Sequence, residues 1–126
     1  MNSKPYIMIV EDAEDIREAL GSLYKSEGFE VVLASDGRDA LVKLRNRLDL
    51  PALILLDLMM PGMDGFEFRA EQESDARLSN IPVVLMTADA NAKEKSIKAG
   101  VNGYIKKPVE IDVLLAVAEK YCKRTG

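Results

Sequence analysis

Histidine and tryptophan are both missing from the 126 residues, and cysteine occurs once, as Cys122. Without histidine there is no Ser–His triad, no imidazole general base and no His-ligated zinc or haem. One thiol makes neither an internal disulfide nor a cysteine metal cluster, which fits a reducing compartment. Long hydrophobic runs are absent too. No apolar stretch approaches the roughly 18 residues of a membrane span, and the run behind Met1–Pro5 is too short for the apolar core of a signal peptide. The chain is expected to work in the cytoplasm, away from membranes. Positive charge is in short supply: 17 Lys and Arg against 21 Asp and Glu give a net charge of −4. That balance argues against binding nucleic acid directly.

Short apolar runs alternate with helical patterns. Ile7–Val10, Val31–Leu33, Leu53–Leu56 and Val83–Met86 are four continuous runs, and Gly103–Ile105 is a weaker fifth. Such runs suit strands buried on both faces of a parallel sheet, with crossover helices between them. The first intervening stretch puts Ile16, Ala19, Leu20, Leu23 and Tyr24 on one stripe, with Gly28 as C-cap. A second helix follows Asp36-Gly37 with Ala40, Leu41, Leu44 and Leu48 inward. The last carries Ile111, Leu114, Leu115, Ala118, Tyr121 and Cys122. The third and fourth are thin. One is expected to be short or frayed, resting on Phe66, Phe68 and Ala70. The other, Asn91 to Ala99, offers only Ala92, Ile97 and Ala99 before Gly100, and is a candidate for movement. The order predicts an α/β fold, (βα) five times over, with a doubly wound five-stranded parallel sheet. Residues 1–126 are expected to be one domain, and the tail Lys123–Gly126 is too short for an output module.

In open α/β sheets the site lies beyond the carboxyl ends of the strands. The first run ends in Glu11-Asp12, the third in Asp57, the fourth in Thr87, and Lys106-Lys107-Pro108 follows the fifth. Three carboxylates on one rim repel unless a cation compensates. Oxygen ligands of this kind suit Mg²⁺, which keeps several waters and leaves positions for phosphoryl oxygens. Thr87 and a lysine could bind further phosphoryl oxygens, and a carboxylate can itself take the phosphoryl group as an acyl phosphate. Strand alternation admits only one of Lys106 and Lys107.

Glu11-Asp12, Asp57-Leu58-Met59-Met60-Pro61-Gly62-Met63-Asp64-Gly65, Thr87-Ala88 and Tyr104-Ile105-Lys106-Lys107-Pro108 together resemble the receiver domain of bacterial two-component response regulators. The resemblance spans nearly the whole chain and implies a flavodoxin-like strand order, 2-1-3-4-5. It implies Asp57 as phosphoacceptor, loaded by a histidine kinase or a histidine phosphotransfer protein. It assigns Asp12, Asp57 and the Met59 carbonyl to Mg²⁺ (Mn²⁺ as substitute), with Glu11 acting through a metal-bound water. Thr87, the Ala88 N–H and Lys107 would hold the phosphoryl group, and Tyr104 would turn inward as Thr87 moves. The Lys107–Pro108 bond is expected to be cis. A downstream protein would then read the Asn91–Tyr121 face, where Lys93, Lys95 and Lys98 favour an acidic partner.

Other readings compete. Taken alone, Asp57 is a strand-end turn residue, Glu11 and Asp12 are helix-capping acids, and Cys122 is a small buried hydrophobe. A haloacid-dehalogenase-type hydrolase would need a second Asp where Met59 stands. A flavodoxin-type carrier would find its flavin phosphate repelled by Glu11-Asp12. A phosphorylation-independent scaffold, or a receiver cut from a regulator with a DNA-binding or enzymatic output domain, are the further alternatives.

Overall fold

The computed structural model describes residues 5–122; Met1–Lys4 and the tail Lys123–Gly126 lie outside the described residues. Five strands, β1 (Tyr6–Val10), β2 (Glu30–Ala34), β3 (Leu53–Asp57), β4 (Val83–Thr87) and β5 (Gly103–Lys106), alternate with five helices. The helices are α1 (Glu14–Ser26), α2 (Gly37–Arg45), α3 (Gly65–Ser74), α4 (Ala92–Ala99) and α5 (Ile111–Tyr121). All strand pairs are parallel and the order is β2-β1-β3-β4-β5. The expected flavodoxin-like sheet is present.

The three central strands are buried at every residue, which is why their sequences read as unbroken apolar runs. Alternation along each strand then divides the core in two. Met8, Val10, Ile54, Leu56 and Leu85 face Leu41 and Leu44 of α2, Phe68 of α3 and Ala99 of α4. Ile7, Ile9, Leu55, Val84 and Met86 face Leu20 and Tyr24 of α1 and Leu114 and Ala118 of α5. The Tyr24 hydroxyl donates to the Leu114 carbonyl at 2.8 Å, tying α1 to α5. Cys122 is buried at the foot of α5, as its place on that stripe predicts.

Several helix contacts differ from the sequence pattern. Ile16, Ala19 and Ile111 belong to the apolar stripes of α1 and α5, yet all three are exposed. With Leu23 and Val109 they line an open groove of about 440 Å³ between the two helices. Leu48 is fully exposed at 100%, because α2 ends at its C-cap Asn46; Leu50 packs on the core instead. The Arg77 guanidinium closes this helix end by donating to the Leu44, Arg47 and Leu48 carbonyls.

Helix α3 is neither short nor frayed. Asp64 accepts from the Glu67 N–H at 2.9 Å while Glu67 accepts from the Asp64 N–H at 3.1 Å, a complete capping box. Phe68 is buried, but Ala70 faces solvent, and the second anchor is Gln72. Its amide donates to the Leu78 and Ile81 carbonyls, both at 3.0 Å. In α4 the buried residues are Ala92, Ser96 and Ala99, while Ile97 points outward at 69% exposure. Gly100 ends this helix in the left-handed region, φ 70°, where a side chain would be strained.

Candidate functional site

Parallel strands deliver their carboxyl ends to one rim, and the register fixes what arrives there. Asp57 pairs with Met86, and Thr87 with Lys106. Glu11 follows β1 directly, its N–H donating to the Ala34 carbonyl at 3.2 Å. Glu11, Asp57 and Thr87 are buried, whereas Asp12 is exposed. Carboxylate oxygens of Glu11, Asp12 and Asp57 all lie within 4.8 Å of one another.

One cation enters this group. The Lys107 ammonium lies 3.3 Å from Asp57 Oδ2 and 3.4 Å from Glu11 Oε1. The Lys107 backbone N–H donates to the Thr87 carbonyl at 2.8 Å, holding the loop after β5 to the end of β4. The Lys107–Pro108 peptide is cis. Lys106, one residue earlier, is exposed; of the two lysines that alternation sends to opposite sides, it is Lys107, the one the receiver resemblance implies, that meets the carboxylates. Three carboxylates against one ammonium leave the cluster formally two charges short of neutral. Exposed Asp12 keeps its open side in solvent. The donor set is all hard oxygen, of the kind a small divalent cation accepts.

The backbone supports the same centre. Asp57 Oδ1 accepts from the Met59 N–H at 3.2 Å, and the Met59 side chain is 68% exposed. Arg17 of α1 donates to the Glu11 carbonyl at 2.8 Å and the Asp12 carbonyl at 3.4 Å. That clamp has no single-residue signal, since a lone arginine on a helix reads as solvated. Gly65 sits where a Cβ would come within 3.1 Å of the Leu58 backbone, and its N–H donates to the Leu58 carbonyl at 2.9 Å. The glycine of the Asp64-Gly65 pair therefore lets α3 start close behind Asp57.

Beyond Thr87 the loop folds on itself. Thr87 Oγ1 accepts from the Asp89 N–H at 3.1 Å, and Asp89 Oδ1 accepts from the Asn91 N–H at 2.7 Å. Asp89 also pairs with Lys95 of α4. The Lys95 ammonium, helped by the Asn91 N–H, holds the Asp89 carboxyl below the usual carboxylate range. Ala88 is exposed beside Thr87. Tyr104, opposite Leu85 on edge strand β5, is 39% exposed and stands outside this cluster.

A five-stranded parallel sheet with a carboxylate cluster and a lysine at its carboxyl rim places the chain among doubly wound α/β domains with a candidate site at the strand ends. A family model, the response regulator receiver domain, matches residues 7–119. The chain belongs to that family. It is 36% identical over 118 residues to hybrid signal transduction histidine kinase D of Dictyostelium discoideum, covering 92% of this chain and 7% of that protein. It is 31% identical over 118 residues to an uncharacterized 14.6 kDa protein of Leptolyngbya boryana, covering 92% and 88%. Among solved structures, the chemotaxis protein CheY4 of Vibrio cholerae superposes with a TM-score of 0.84 at 26% identity, covering 94% and 99%. The chain thus spans nearly all of some relatives and a small part of others. Among the described residues, no helix is long and apolar enough to cross a membrane.

Proposed function

We propose that this chain is a phosphorylation-driven switch whose Asp57 accepts a phosphoryl group from phosphohistidine on a partner, a histidine kinase or a histidine phosphotransfer protein. The observation that carries the reading is the Lys107 ammonium shared between the buried carboxylates of Asp57 and Glu11. An ammonium there neutralises Asp57 before transfer and is in place to pair with the phosphoryl oxygens after it.

In the transfer an Asp57 oxygen forms a bond to phosphorus as the phosphorus–nitrogen bond of the donor breaks. The electron pair of that bond stays on the imidazole. The donor imidazole lies outside these 126 residues, none of which is histidine. Thr87 then donates its hydroxyl to one phosphoryl oxygen and the Ala88 N–H to another, while Lys107 holds a third. Asp12 and Asp57, the Met59 carbonyl, and Glu11 through a water are the groups that would hold Mg²⁺ or Mn²⁺. The ion, when bound, neutralises charge that develops on the phosphoryl oxygens. Closure of Thr87 draws Tyr104 inward from its exposed position and alters the Asn91–Tyr121 face, which a downstream protein reads. Lys93 and Lys98 on that face favour an acidic partner. The chain assists its own loading and unloading and turns over no external substrate. Its place of work is the cytoplasm.

Intact-mass measurement after incubation with Mg²⁺ and a small acyl phosphate tests the reading. One added phosphoryl group is expected, lost in Asp57→Asn and blocked by a chelator. An unmodified wild-type chain under several donors would instead favour a scaffold that never receives phosphate.

A further inference from the structure

The hydrogen bonds around Thr87 do not end at the rim. Thr87 Oγ1 accepts from the Asp89 N–H, Asp89 Oδ1 accepts from the Asn91 N–H, and Asp89 Oδ2 meets the Lys95 ammonium. The Asp89 carbonyl also accepts from the Ala92 N–H at 3.2 Å. An unbroken path therefore joins a buried hydroxyl at the end of β4 to the end of the first turn of α4. This helix needs such a hold. Its N-cap residue, Asn91, makes no side-chain cap bond, and its buried residues, Ala92, Ser96 and Ala99, are all small. Asp89 supplies the negative charge that favours a helix start.

We propose that Asp89 and Lys95 form a latch that holds α4 on the Thr87 loop, and that the latch opens when Thr87 turns to a phosphoryl group on Asp57. The opening step rests on the phosphoacceptor reading above; the latch itself does not. Thr87 Oγ1 cannot move toward Asp57 without dragging Asp89 along or releasing its N–H. A phosphoryl group, carrying up to about two negative charges near neutral pH, repels Asp89 and attracts Lys95, so it pulls the two apart. Both side chains are partly exposed, and the pair opens without uncovering core. Asp89 and Lys95 are positioning residues that act through Thr87 and α4.

Amide exchange of residues 92–99 in the full chain, with no Mg²⁺ and no phosphoryl donor, is the first measurement. Lys95→Gln and Asp89→Asn are each expected to speed α4 exchange about 2- to 5-fold, the range for a partly exposed ion pair. The double variant should add nothing beyond Asp89→Asn alone, and Lys95→Arg should keep the wild-type rate. Exchange in α3 and α5 should stay unchanged, which separates the latch from a general loss of stability. Wild-type rates in Lys95→Gln, equal acceleration in every helix, or additive single effects would overturn the proposal. With Mg²⁺ and beryllium fluoride as phosphoryl mimic, wild-type α4 should move toward the Lys95→Gln rate, and the variant should respond less. A full response in Lys95→Gln would overturn the opening step. A wild-type α4 indifferent to the mimic overturns the opening step; whether Asp57 accepts a phosphoryl group is decided separately by the intact-mass measurement, and the comparison without mimic still decides the latch.

Discussion

Helices α3 and α4 follow neighbouring strands, each begins just beyond a residue of the rim, and both look poorly anchored in sequence. They are held in opposite ways. Helix α3 starts at a reciprocal capping box, drives Phe68 into the core and anchors Gln72 to two loop carbonyls. Helix α4 has no side-chain N-cap bond, buries small residues and turns Ile97 outward. A helix without an apolar stripe can thus be fixed by one aromatic ring and one buried amide. The firmly anchored helix stands behind Asp57, whose proposed role as nucleophile gains from being held still. The lightly held one stands behind Thr87, whose proposed role is to move.

The largest expected effect breaks the stronger side. Phe68→Ala should destabilise the fold by about 3–5 kcal/mol, the range for truncating a buried aromatic, read as a lower urea midpoint at unchanged slope. A loss under about 1 kcal/mol would mean that α3 is not fixed by its ring, and the contrast with α4 would disappear. A smaller effect sharpens the comparison at the helix starts. Asp64→Ala removes a cap bond and should cost about 1 kcal/mol. Asn91→Ala removes none and should stay within about 0.5 kcal/mol of wild type. Equal losses at the two positions would show that α4 is capped in solution after all.

The site was the most legible part of the sequence, for a physical reason. Strands buried on both faces announce themselves as apolar runs, so the first polar residue after each run marks the rim. Glu11, Asp57 and Thr87 are all found that way; alternation admits only one of Lys106 and Lys107, and the lysine–proline pattern of the receiver resemblance points to Lys107. Edge strand β5 was faint because among Gly103, Tyr104 and Ile105 only Ile105 is buried. Helix periodicity told less. It gives the face of a helix that turns toward the sheet, but not how far that helix runs past the sheet edge. Ile16 and Ile111 obey the period and still line an open groove. The spacing of Asp64 and Glu67 is a readable capping signature, and it would have corrected the expectation of a frayed α3. Gln72 had no such signal, since a buried amide and a solvated one look alike until its acceptors are known. The Asp89–Lys95 pair is hidden for a related reason: part of it lies in a loop, where no period applies.

The smallest predicted effect bears on the lightly held helix. Ile97 is the largest apolar residue of α4, and its spacing from Ala92 and Ala99 suggested a place in the core. Buried, its truncation to alanine would cost about 2–5 kcal/mol. At 69% exposure little apolar area is removed from water by folding, and Ile97→Ala should change stability by no more than about 0.5 kcal/mol. Urea unfolding of this one variant therefore reports the rotation of α4 about its own axis. A cost above about 2 kcal/mol would mean that Ile97 faces the sheet in solution. Lys95, two residues earlier, would then be turned away from Asp89, because a rotation that brings position 97 inward carries position 95 about 160° from it, at 100° per residue over a 3.6-residue turn. A near-neutral result leaves the lysine where the pair with Asp89 requires it.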